Sequence, residues 1–487
     1  MSQSTVAGTP GHAASAASGT HLRRVLGVPS LVLFGLVYMV PLTVFTTYGI
    51  VTQLTGGRVP LAYVITLVAM FFTARSYARM AAAYPYAGSA YVYAQRSFGP
   101  GVGFLAGWSL MLDYLFLPMI NYLVIGIYLN AAFPAVPQWV FIVATIALVT
   151  VLNIVGILSV ARANFVIIAV QALIIVTFVV LSIVSFGGTG QVDPLAPFTG
   201  DGSVEGTGVL FAGAAVLCLS FLGFDAVSTL SEEAKDPTRS VPRAIMITTI
   251  AAGVIFIGLS YLSQLVFPSN AFTDVDSAAL DVMGAAGGEF LAIFFTAAYI
   301  AGATGSALTS QASVARILYA MGRDRVLPRA VFGRLSERFR TPVVAIVVVS
   351  AVSLFAVVID LGLLVEMISF GALIAFSVVN LSVLKHHFID RRERTGAAAV
   401  VNNLVLPLIG FGLTVWLWTS LSPRTFVIGL IWLALGLVLL GIVTRGFRRP
   451  VPMLDLREDG TVDDGDDDRA ADSATAPAVP TGERAQG

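Results

Sequence analysis

Cys218-Leu-Ser-Phe-Leu-Gly-Phe-Asp-Ala-Val-Ser-Thr-Leu-Ser-Glu-Glu233 is the stretch that decides how this chain is read. An apolar helix reaches small residues around Gly223 and meets a carboxylate, Asp225, at the depth of a membrane core. It is expected to continue for two more turns to Glu232 and Glu233, ahead of a charged turn that ends at Arg243. An ionised side chain in hydrocarbon costs roughly 2.5–3.5 kcal/mol on insertion scales, so such a group marks a functional site by default. The rest of the chain supplies the hydrocarbon. Of 487 residues, 57% are hydrophobic and only 11% are charged, against about 25% charged in soluble domains.

Apolar runs of about 20 residues, the length that crosses ~30 Å of hydrocarbon as helix, recur along the chain. They predict an all-α integral membrane protein with twelve transmembrane helices, near 28–52, 60–83, 99–131, 138–157, 162–186, 208–233, 241–267, 287–320, 342–360, 362–386, 402–421 and 425–446. The loops test this count. Arg75, Arg79, Arg96, Arg162, Lys235, Arg239, Arg243, the run Arg316 to Arg340 and the run Lys385 to Arg394 fall on one side, and only Arg58 and Arg424 on the other. By the positive-inside rule the basic side is cytoplasmic, which puts both termini there. Residues 1–22 read as a disordered tail, 23–450 as the twelve-helix domain, and 451–487 as an acidic, disordered tail with Asp463, Asp464, Asp466, Asp467 and Asp468. Arg23-Arg24 precedes a run too long for a signal peptide. The single cysteine, Cys218, excludes an intrachain disulfide and reads as a small core residue.

Two spans look broken, and they lie five apart. Pro41, within Tyr38-Met-Val-Pro-Leu-Thr-Val-Phe45, removes a backbone hydrogen bond in the first. Gly223, beside Asp225, interrupts the sixth. Freed backbone groups are tolerated at that depth only inside protein or against a wet cavity. Interrupted helices at matching positions of two halves point to a binding site between inverted repeats.

Several strings carry a resemblance. They are Gly88-Ser-Ala-Tyr-Val-Tyr-Ala-Gln95, Leu112-Asp-Tyr-Leu-Phe-Leu-Pro-Met-Ile-Asn121, Ser220 to Glu233 followed by Lys-Asp-Pro-x-Arg-x-x-Pro, Ala312 to Asp324, and Phe370-Gly-Ala-Leu-Ile-Ala-Phe376. The chain resembles the amino acid–polyamine–organocation (APC) superfamily and, within it, the bacterial putrescine importers. The matching region runs from residue 28 to about 446. The resemblance implies a five-plus-five inverted repeat plus two C-terminal helices, alternating access, and spans 1 and 6 broken at the substrate. It also implies a bacterial plasma membrane location and proton-coupled uptake of putrescine or a related polyamine. An amino acid permease of the same superfamily, symporter or exchanger, is the alternative.

The candidate substrate site gathers Tyr38, Pro41, Thr43, Phe45 and Thr46 at the first break. It adds Ser220, Phe221, Gly223, Phe224 and Asp225 at the second, and Asp113, Tyr114 and Asn121 in the third span. A diamine carries two ammonium groups that need acceptors where water is shed, and an aromatic face adds cation–π attraction. Asp113, Tyr114 and Asn121 offer these chemistries on one helix. Asp225 is expected to bind a substrate nitrogen or to carry the coupling proton, a task Asp113 shares, since burial raises a carboxylate's pKa toward working pH. Phe224 adjoins Gly223 and Asp225 and is placed to lid the site, whereas Tyr91 and Tyr93 read as packing residues. Glu232 and Glu233 sit beside Lys235 at the inner gate or in helix-end ion pairs. Glu366, opening the tenth span, is an outer gate or a solvated helix start.

The residues of the fifth span bear on coupling. Where several superfamily members place a Lys at the sodium position, this chain has Gln171, and no lysine stands mid-span; Thr309 and Ser310 supply only hydroxyls. Protons are the favoured coupling ion. The first break, Val40 to Phe45, lacks the Gly-rich backbone that holds a carboxylate in amino acid carriers, which suits a diamine. Thr46, however, stands where similar putrescine importers tend to carry Asp, so a monocationic or zwitterionic substrate stays open. Outer-loop acids Asp193, Asp201, Glu205, Asp274, Asp276 and Asp281 favour cations at the mouth. No P-loop, nucleophile elbow or metal motif appears, and His386-His387 is not spaced as a metal site. The expected partners are therefore a small cationic or zwitterionic substrate, protons and the bilayer, with no nucleic acid, cofactor, metal or catalytic residue.

Overall fold

With no water to satisfy backbone groups, chain that crosses a bilayer has to close its hydrogen bonds within itself, as helix. The computed structural model describes residues 25–446 apart from 86–88, 157–159, 190–192, 232, 324–326, 337 and 340, so both expected tails lie outside the described residues. Eleven helices among the described residues are long and apolar enough to cross a membrane. The ninth expected span is shorter: helix Val343–Ser353 continues only into a 3-10 turn, Leu354–Val357. Among the described residues the nearest thing to a sheet is one isolated bridge, between Leu26 and Ala234.

Proline sets many of the starts. It stands in the first turn of Val59–Ala83, Pro100–Ala132, Pro237–Val266 and Pro423–Val443, where its missing N–H has no helical partner to lose. Glycine sets a kink. Helix Ala278–Arg323 is interrupted at Gly287 and Gly288, the latter with φ 69°, within the candidate span Val275–Tyr319.

Close approaches fix the third span, which carries Asp113. A methyl group on Gly371 would lie 2.3 Å from the carbonyl oxygen of Ser109, so only glycine lets Leu361–Val383 rest on Pro100–Ala132 one turn from Asp113. On the other side Trp108 and Trp432 stack at 4.7 Å. Each indole N–H donates to the other's carbonyl, at 2.8 and 2.9 Å, which docks Pro423–Val443.

Gly371→Val should force these two helices apart. We expect a stability loss of about 2 kcal/mol or more, the range for overpacking, read as a lower melting temperature of the detergent-purified protein. An unchanged melting curve would show the approach to be dispensable.

Candidate functional site

The first break begins one residue before the proline. Helix Val28–Met39 ends at Val40, which adopts φ 47° and ψ 89°, a left-handed conformation strained for a β-branched residue. Pro41 is the cause, since a residue ahead of proline is pushed out of the α region. A 3-10 segment, Pro41–Phe45, follows, and helix Tyr48–Thr55 resumes after Thr46 and Thr47. The second break is built on glycine. Helix Gly208–Phe221 stops, Leu222 is extended, Gly223 takes φ 126°, and a 3-10 segment runs over Asp225–Leu230. The second half of this span is thus a short 3-10 segment rather than two further α-helical turns.

The two breaks touch. A Cβ on Gly223 would lie 2.6 Å from the Tyr38 ring and 3.2 Å from the Met39 nitrogen. Asp225 closes its own break: Oδ1 accepts from the Gly223 N–H at 3.2 Å and Oδ2 from the Ser89 hydroxyl at 3.3 Å. Asp113 is different. It lies close enough to sense the Asp225 charge, and its Oδ1 is shut from solvent without any hydrogen-bond partner. Tyr38 and Tyr114 sense both carboxylates. Tyr38 stays 41% exposed although it lies among these groups, so it borders open space. The arrangement is an acidic interior with an acceptor to spare and no ion pair to either carboxyl group among the described residues.

Other residues named from sequence are placed differently. Phe45 points away from the carboxylates, packed edge-on against Phe178 and Phe295 at 5.5 and 5.3 Å. Thr46 pairs with the Tyr299 hydroxyl, and Thr43 donates to Met39 and Val40 carbonyls. Ser220 bonds Tyr63 at 3.0 Å, and Phe221 packs against Phe256. Asn121 follows Asp113 by eight residues, about 12 Å along a helix; its amide donates to Leu117 and to Ser306. Phe224 is wholly buried, in an aromatic cluster with Tyr77 and Phe376, so it is a wall rather than a lid in this conformation. Glu366 accepts from the Ser422 backbone and hydroxyl and from Thr425, which caps the last span. Glu232 lies outside the described residues. The Glu233 carbonyl accepts from the Val25 and Leu26 N–H groups, and Lys235 returns a bond to Leu26.

Sequence reasoning missed Tyr77 and Ser89, and treated Tyr93 as packing. Tyr77 and Tyr93 are wholly buried beside one another, their rings 5.9 Å apart, and Tyr77 also packs edge-on against Phe224 next to Asp225. Nothing local distinguishes them among the chain's 14 tyrosines. Thr309 and Ser310 bond carbonyls of their own helix, and Gln171 is buried. Among the described residues no group of three or more His, Cys, Asp or Glu is placed to hold a metal.

At the end opposite the basic loops, polar contacts hold the second half of the first span. Tyr48 donates to Gln264, Gln264 to Asn270, and Asn270 to Asp201, at 3.0, 2.7 and 2.9 Å. Hydrogen bonds from Ser203 hold the Asp201 carboxyl below the usual carboxylate range.

Known proteins resemble this chain over nearly all its length. Residues 30–436 match the amino acid permease family. The low-affinity putrescine importer PlaP of Escherichia coli (strain K12) is 43% identical over 447 residues, covering 89% of this chain and 97% of the relative. The branched-chain amino acid permease BcaP of Bacillus subtilis (strain 168) is 26% identical, over 87% and 94%. The methylthioribose transporter of the same organism is 28% identical over the same shares.

The two carboxylates should differ in what they do for stability. Asp225→Asn keeps one acceptor oxygen but turns the other into an N–H donor, so one of the two hydrogen bonds from Gly223 and Ser89 is lost, at a cost of about 1–2 kcal/mol. Asp113→Asn removes no hydrogen bond to the Oδ1 oxygen, which has no partner, and should leave the ligand-free melting temperature at or above that of the wild type. Equal destabilisation by both would contradict these roles.

Proposed function

The chain belongs to the amino acid permease family, and from that premise we propose that it imports putrescine or a closely related diamine as a secondary carrier. One observation carries the reading: the buried carboxyl of Asp113 has an oxygen without a hydrogen-bond partner, and among the described residues no ion pair reaches it or Asp225. A dication supplies the missing charge. Its two ammonium groups would be taken by Asp113 and Asp225, with the tyrosine hydroxyls of Tyr77 and Tyr93 as further acceptors and the Tyr38 ring as a cation–π face. Similarity to the putrescine importer of E. coli supports this choice. The branched-chain permease is a more distant relative.

The finer architecture belongs to the same proposal. Val343–Val357, short for a span, counts as the ninth crossing and brings the total to twelve, and the two breaks sit five spans apart as inverted five-helix repeats would have them. The 1–22 and 451–487 tails flank a single 23–450 transport domain. Both termini face the cytoplasm of a bacterial cell, since nearly all basic loop residues share that side. Alternating access would open one side of the breaks and then the other. The outer half of the first span is held by side-chain bonds and the inner end by the backbone pairing of Val25–Leu26 with Glu233–Lys235. Coupling would use a proton. When Asp113 or Asp225 gives up its share of the substrate charge, protonation removes the cost of an empty carboxylate in the interior. Glu366, held in a helix cap, is left out of the gate, and Glu233 acts there through its carbonyl.

In proteoliposomes with an inward proton gradient, labelled putrescine should accumulate and a protonophore should abolish the accumulation. Asp113→Asn and Asp225→Asn should each cut uptake by about 100-fold or more, as loss of one partner of a buried charge pair costs 3–5 kcal/mol. Uptake of neutral amino acids that putrescine does not inhibit, or wild-type uptake by both variants, would overturn the proposal.

A further inference from the structure

The basic end of the bundle holds a cavity that the transport site does not use. About 630 Å³ in volume, it is lined by Arg75, Arg79, Arg243 and Arg391, with Pro242, Met246 and Ile247 on the apolar side. The carboxylate next to this group is Glu393, at 3.8 Å from Arg79 and 3.9 Å from Arg391, and it also pairs with His387 at 2.8 Å. Arg75 has a neutral partner, the Asn402 carbonyl at 2.5 Å. The Nε atoms of Arg75 and Arg79 are buried with no acceptor. These two guanidiniums sit one turn apart on one helix face, where like charges repel. Four cations against one shared carboxylate leave a net positive cavity with N–H donors unused, which is the chemistry of a phosphate site.

The walls select the source of that phosphate. Ile247 lines the cavity, and Ile247, Ile250 and Val254 are 46%, 42% and 61% exposed. Their spacing puts them on one face of Pro237–Val266, so an apolar stripe leads from the cavity along the membrane surface of the protein. A free phosphate has no use for such a stripe. We propose that this cavity binds the headgroup phosphate of an anionic glycerophospholipid, with an acyl chain lying along Ile247, Ile250 and Val254. Basic pockets between membrane helices recognise anionic headgroups in this way, each basic side chain adding to the attraction. The site is independent of which substrate the carrier takes.

Full-length protein in detergent, titrated with phosphatidylglycerol, phosphatidylcholine and inorganic phosphate and read by native mass spectrometry, tests the proposal. Phosphatidylglycerol should bind well above phosphatidylcholine, and millimolar phosphate should not displace it. Arg243 is exposed and the neighbouring bundle does not depend on it, so Arg243→Gln should fold normally and weaken phosphatidylglycerol by about fivefold, and Arg75→Gln/Arg243→Gln by about 30-fold. Equal binding of the two lipids, or unchanged affinity in Arg243→Gln, would overturn the site. Displacement by inorganic phosphate would make the ligand a soluble anion and overturn the lipid assignment.

Discussion

A carboxylate held in the middle of a membrane protein without a countercharge is the constraint on which the rest of this structure depends. Asp225 accepts from the Gly223 N–H and the Ser89 hydroxyl, and Asp113 has a buried oxygen with no hydrogen-bond partner among the described residues. Neither arrangement is what a structural acid would adopt, because unpaired charge in a low-dielectric interior is strongly unfavourable. The two breaks are the device that makes it tolerable. They expose backbone N–H groups at depth, and they bring Tyr38 and Met39 against Gly223 so that the half-spans meet at the carboxylates.

The surroundings divide into rigid and yielding parts. The third span is clamped by Gly371 beneath Ser109 and by the Trp108–Trp432 stack, which fixes Asp113. The aromatic cluster of Tyr77, Phe224 and Phe376 fixes the wall behind Asp225. At the end that carries the basic loops, by contrast, the start of the first span and the end of the sixth meet through a few backbone hydrogen bonds around Leu26 and Ala234. Short main-chain ladders of this kind separate and re-form more readily than an interlocked side-chain core.

Much of this was legible in the sequence, for identifiable reasons. Pro41 and Gly223 constrain the backbone wherever they stand, so both breaks were readable, as was the isolation of Asp113 and Asp225 among apolar residues. Even so, the first break starts at Val40, because proline acts on the residue before it. Side-chain direction was not readable. The 3-10 turn after Pro41 swings Phe45 toward Phe178 and Phe295, and eight residues carry Asn121 a full span-half away from Asp113. Partners from distant segments were hidden as well. Glu366, readable as an outer gate or a solvated helix start, is engaged by Ser422 and Thr425 from a distant span, and the Ser89 hydroxyl reaches Asp225 from 136 residues away.

The central claim is that two carboxylates together recognise two cationic ends, and a binding comparison tests it most directly. Putrescine and n-butylamine differ at one end, where a hydrogen on the four-carbon chain stands in place of the second ammonium. Calorimetric titration of the wild type should show a strong preference for the diamine, and Asp113→Asn should erase most of that preference while leaving butylamine binding little changed. If Asp113→Asn prefers putrescine as strongly as the wild type does, the two-carboxylate account is contradicted.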